Sequence, residues 1–98
     1  MEIEKRRHKK IEIGDFVEAN SYEYMKEVFN YAQLKGCNIS PYDEFMYGKR
    51  YRVISIKEVP FIENFEKAFP FSKLMYLIQP ESNNNGYFFY EFEITNCG

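Results

Sequence analysis

Three stretches govern how this chain folds: Gly14-Asp15-Phe16-Val17, Gly48-Lys49-Arg50-Tyr51-Arg52-Val53, and a tyrosine-rich run that ends in Phe92-Glu93-Ile94. The first two place a glycine where the backbone must turn sharply and follow it with residues suited to a strand. The third is rich in the aromatic side chains that pack well on a pleated surface. Together they punctuate a small, strongly bent antiparallel sheet.

On the N-terminal side of the first stretch, Ile11-Glu12-Ile13 alternates apolar with charged residues, and Gly14-Asp15 marks a turn or bulge. The first strand is therefore predicted to run on through Phe16 to Ala19. Between the first two stretches lies the clearest helix. Asn20 and Glu23 have the spacing of a capping box. Tyr22, Met25, Val28, Phe29 and Ala32 share one helical stripe, and Gly36 is a fitting stop, which predicts a helix over about 21–35. Residues 37–47 read as a connector in which Ser40-Pro41 and Asp43-Glu44 can start one helical turn.

The strand after Gly48 is predicted over 49–59. Tyr51 and Val53 share one face while Ile54 and Ile56 share the other, a pattern that a bulge near Val53–Ile54 or a strand buried on both faces would explain. Pro60 ends this strand, residues 61–72 suit a short irregular helix, and a third strand spans 73–79. Asn85-Gly86 is a turn signal able to hold positive φ. A fourth strand is then expected over 87–95, with Phe88, Tyr90, Phe92 and Ile94 facing the core. Tyr87, Phe89, Glu91 and Glu93 would face outward.

The bulk numbers bound the function. Ninety-eight residues make one domain with a modest core, and 9 Tyr and 10 Phe must supply much of its buried area. Residues 1–10 carry Lys5, Arg6, Arg7, Lys9 and Lys10 against two Glu, a basic arm ahead of a mildly acidic body over 11–98. No apolar run has the length of a membrane helix, and the N-terminus lacks the apolar centre of a signal peptide, so no membrane and a cytoplasmic setting are expected. Cys37 and Cys97 fit no metal-ligand spacing and are expected to stay reduced.

The order of these signals resembles the small SH3-like barrels, in particular short phage and mobile-element proteins of that shape. Gly14-Asp15, Gly48-Lys49-Arg50-Tyr51-Arg52-Val53, Asn85-Gly86 and Phe92-Glu93 carry the resemblance. The segment from about 20 to 47 departs from it, with a helix where a compact barrel carries a loop. The resemblance implies an α+β fold: a bent sheet or SH3-like barrel of four to five strands, with one inserted helix packed on it. It also implies an accessory protein that inhibits or modulates a host protein of defence or transcription, and it carries over no catalytic residue.

The chemistry-bearing residues point the same way. His8 is the only histidine and sits in the basic arm, so neither a zinc site nor a Cys–His nucleophile can be assembled. No glycine-rich phosphate loop appears, and neither an enzyme nor a cofactor is expected. With Tyr87 and Phe89 outward, the crowded connector next to them completes a contact surface: Tyr42, Asp43, Glu44, Phe45, Tyr47, Tyr87 and Phe89. The expected partner is a protein, with a homodimer through the same face as a variant. The alternative is a nucleic-acid binder that uses the arm together with Arg50 and Arg52.

Overall fold

The computed structural model describes residues 10–80 and 85–97. Five strands form one antiparallel sheet: β1 (Phe16–Ala19), β2 (Arg50–Glu58), β3 (Leu74–Pro80), β4 (Tyr87–Tyr90) and β5 (Ile94–Asn96). Helix α1 (Tyr22–Leu34) joins β1 to β2 through the connector, and a single helical turn, α2 (Phe65–Ala68), lies between β2 and β3. The strand order is β4-β3-β2-β1-β5, so the last two strands in sequence are the two outer edges. The sheet is open.

Helix α1 forms where its local signals place it. Met25, Phe29 and Ala32 are buried, and Tyr22 and Val28 pack beside them. The cap is Ser21, however, whose side chain accepts the Tyr24 N–H at 3.2 Å. Asn20 is drawn instead to the far end of the chain, its Nδ2 donating to the Phe92 carbonyl at 2.9 Å. At the other end Gly36 takes φ +81 and lets Cys37 N–H return to the Ala32 carbonyl at 2.9 Å, while Gly36 N–H reaches Gln33. Such a left-handed glycine closure satisfies the helix's last carbonyls.

The bulge in β2 is present: the register against β3 shifts between Val53 and Ser55. It keeps Tyr51 and Val53 in the core while returning Ile56 to the same side. β1 is shorter than expected, because a turn closed by Asp15 N–H on the Glu12 carbonyl, with Gly14 at φ +97, breaks it and leaves Ile13 exposed. In the connector the helical turn falls on Glu44–Met46, a 3-10 turn, rather than at Pro41. Gly86 packs closely rather than turning through positive φ: a Cβ there would meet Leu77 Cδ1 at 2.9 Å and push that side chain aside. Neither it nor Asn85 holds positive φ.

The main correction lies in the last strand. Residues 87–95 are two strands separated by a 3-10 turn, Glu91–Glu93. Those three residues carry the chain from one edge of the sheet to the other, which a straight strand cannot do. The phase is reversed over Tyr87–Phe89, while Tyr90, Phe92 and Ile94 pack on the core as expected. Phe89 pairs with Tyr76 and is fully buried. Phe88 lies on the opposite side with the Lys57 ammonium 4.1 Å from its ring centre. Tyr87 is half-buried against the core and Glu93 is buried.

Gly36→Ala tests how firmly α1 is closed. Its Cβ would stand 2.7 Å from Asn64 Nδ2, a group that donates to the Gly36 carbonyl at 3.0 Å. Left-handed backbone alone costs alanine about 1–2 kcal/mol. Thermal unfolding is expected to shift down by roughly 5–15 °C, and an unchanged melting temperature would contradict this account.

Candidate functional site

Glu93 organises the region in which the expected contact residues meet. It is 1 % exposed. Its Oε2 accepts the Tyr47 hydroxyl at 2.7 Å, and its Oε1 accepts the Tyr90 N–H at 2.9 Å. The Tyr47 oxygen in turn accepts the Tyr42 N–H at 2.9 Å. A carboxylate taken out of water needs such donors, and here they come from the connector and from the end of β4.

Around this chain of hydrogen bonds the aromatic rings stack. Tyr42 and Tyr47 both lie roughly parallel to Phe89, with ring centres 5.0 and 5.7 Å away, and Tyr87 meets Tyr42 edge-on at 6.1 Å. The Tyr42 hydroxyl donates to the Phe88 carbonyl at 2.6 Å. Phe88 C=O and Tyr90 N–H belong to the outer edge of β4, where an antiparallel ladder leaves alternate backbone groups unpaired. Side chains thus occupy an edge that would otherwise invite another strand.

The residues expected to form a contact surface are therefore brought together, yet several are consumed by the protein itself. Phe89 and Tyr47 are buried, so neither is available to a partner. Phe89 was expected outside because two strand faces of similar aromatic content leave the phase undetermined, and Tyr47 because the connector was expected to lie on the surface beside it. Tyr87 is half-buried. What remains outward is Tyr42, 37 % exposed, then Asp43 and Glu44, and Phe45 at 62 % exposed with the Lys49 ammonium 5.6 Å from its ring. The carboxylates of Glu23 and Glu44 stand at a shallow hollow that Ser21, Tyr22, Tyr47 and Gly48 complete.

Of the alternative set, Lys5, Arg6, Arg7 and Lys9 lie outside the described residues, while Lys10, Arg50 and Arg52 are exposed. Sequence reasoning placed Glu93 on an outward face and so missed the buried acid. The one available signal was its position three residues after Tyr90, the spacing of a side chain that reaches back to cap a turn. Among the described residues no group of three His, Cys, Asp or Glu side chains could hold a metal ion. Cys37 is buried and Cys97 exposed, both as free thiols. Among the described residues no helix is long and apolar enough to cross a membrane.

Burial pushes the Glu93 carboxyl up to about 7, against the opposing pull of the Tyr90 N–H and the Tyr47 hydroxyl. Desolvation, followed by the neighbouring Glu93 charge, likewise raises Tyr47 well above the ordinary phenol range. No family model, curated protein or solved structure matches this chain.

The raised Glu93 carboxyl has a measurable consequence. A carboxyl that holds its proton more tightly when folded stabilises the fold most below its unfolded pKa. Stability is then lost as pH rises from about 4.5 to about 7. The loss is on the order of 3 kcal/mol. Urea midpoints for the wild type should fall across that window, and Glu93→Gln should flatten the fall. An equal slope in both proteins would remove Glu93 as its origin.

Proposed function

We propose that this chain is a non-catalytic protein-binding module of SH3-like type that docks through residues 42–45. The observation that carries the reading is Phe45, a large apolar ring left mostly in water on a turn whose backbone is tied down on several sides. Tyr42 N–H is held by Tyr47, the Tyr51 hydroxyl donates to the Met46 carbonyl at 2.6 Å, and Met46 N–H bonds Asp43. An exposed anchor that is already ordered loses little entropy on binding, and aromatic anchors of this kind dominate interface energetics.

Asp43 and Glu44 flank the anchor and would steer it toward a partner surface bearing Lys or Arg around an apolar notch. The SH3-like reading is supported by the strand order and by the 3-10 turn that links the two edge strands. The resemblance to phage-type accessory proteins directs the search to host proteins of defence or transcription, with inhibition or modulation as the outcome of binding.

The test is affinity capture with the tagged chain and with two variants, Phe45→Ala and Glu44→Lys. Both residues are exposed, so the melting temperature should barely move. A single stoichiometric protein should be recovered by the wild type, and Phe45→Ala should weaken its binding by about 30-fold or more. Capture unaffected by either substitution would move the interface elsewhere. A second copy of this chain as the recovered partner would show as a doubled mass in light scattering and identify a homodimer.

A further inference from the structure

A second surface lies on the side of the sheet away from Phe89, and it differs in chemistry from the Phe45 turn. Residues paired across strands share a face, as do residues two apart along a strand. Phe16 stands opposite Arg52, Arg52 opposite Gln79, Phe88 opposite Leu77, and Lys57 opposite Met75. Phe16, Arg50, Arg52, Lys57 and Phe88 therefore occupy one face, while Val17, Tyr51, Val53 and Phe89 fill the core on the other. The bulge in β2 sets this arrangement. By stepping past Ile54 it puts Lys57, rather than Ile56, on the same side as the two arginines.

On that face cations and rings are interleaved. The Arg50 guanidinium lies 4.7 Å over the Phe16 ring, and the Lys57 ammonium 4.1 Å over Phe88. Arg52 sits between them, exposed, with two uncharged cross-strand neighbours. Three inter-strand spacings, about 14 Å across the sheet, separate strand β1 from strand β4. The pairing residues place one carboxylate here, Glu18 opposite Arg50. The body of the protein is otherwise acidic, so three cations gathered on one face are a local departure from its charge. The sequence leading into β1 adds Lys10, and Gly14 bonds the Val53 carbonyl, next to Arg52 in the chain.

We propose that this face binds a short single-stranded nucleic acid, with phosphates on Arg50, Arg52 and Lys57 and bases against the Phe16 and Phe88 rings. Rings accept any base by stacking, and an arginine already placed over a ring can extend that stack. A duplex keeps its bases away from such rings and would bring a dense line of phosphate against an acidic body. The site is separate from the Phe45 turn, so each can fail without the other.

The test is fluorescence anisotropy with the full chain, a labelled oligothymidylate and a duplex of equal length. Single-strand binding is expected to weaken roughly twentyfold for a fourfold rise in salt, the slope for about three neutralised phosphates. Arg50→Glu with Arg52→Glu should weaken it at least tenfold, and Lys57→Gln by a smaller factor. Lys26→Glu on α1 should leave it unchanged, with circular dichroism confirming that each variant is folded. Binding that survives the double substitution, a preference for the duplex, or the absence of measurable binding would each overturn the proposal.

Discussion

The structure turns on one buried carboxylate. Glu93 sits where the chain crosses from β4 at one edge of the sheet to β5 at the other, and its two oxygens hold the Tyr90 backbone and the Tyr47 hydroxyl. Side chains 46 residues apart in sequence are thereby joined in a region that no strand pairing closes. A buried acid is costly unless its donors are fixed, so the connector and the crossing turn each depend on the other being in place.

That dependence explains how the β4 edge of an open sheet is covered. Tyr42 takes the Phe88 carbonyl and Glu93 the Tyr90 N–H on β4, and Asn20 ties the start of α1 to the crossing turn through the Phe92 and Glu93 carbonyls. Phe29 reaches Phe92 and Tyr90 from the helix, and Phe69 stacks on Phe92 at 4.1 Å from the region of α2. Much of the aromatic content is spent on filling this junction. Phe45, left outside, stands on a turn whose backbone this junction ties down.

The two faces of the molecule then have different chemistry for a local reason. The connector carries carboxylates beside its exposed ring, whereas β2 carries Arg50, Arg52 and Lys57 on the side away from the core. One inserted residue at the bulge brings Lys57 into line with the arginines. Straightening the bulge with every residue kept would shift the pattern by one and turn Ile56 outward, because strand side chains alternate with a period of two.

Helix α1 was legible in the residues themselves, since a 3.6-residue stripe and a glycine stop act within a few positions of one another. The bulge in β2 was legible for the same reason, as a break in alternation between Val53 and Ile54. The phase of 87–89 was not. Tyr87 and Phe89 on one face are matched by Phe88 and Tyr90 on the other, so only the rings that arrive from the connector decide which face is covered. The burial of Glu93 was likewise settled in three dimensions, because a carboxyl enters a core only where distant donors meet it. Local periodicity thus determined the elements, while long-range desolvation and hydrogen bonding decided which of their faces became interior.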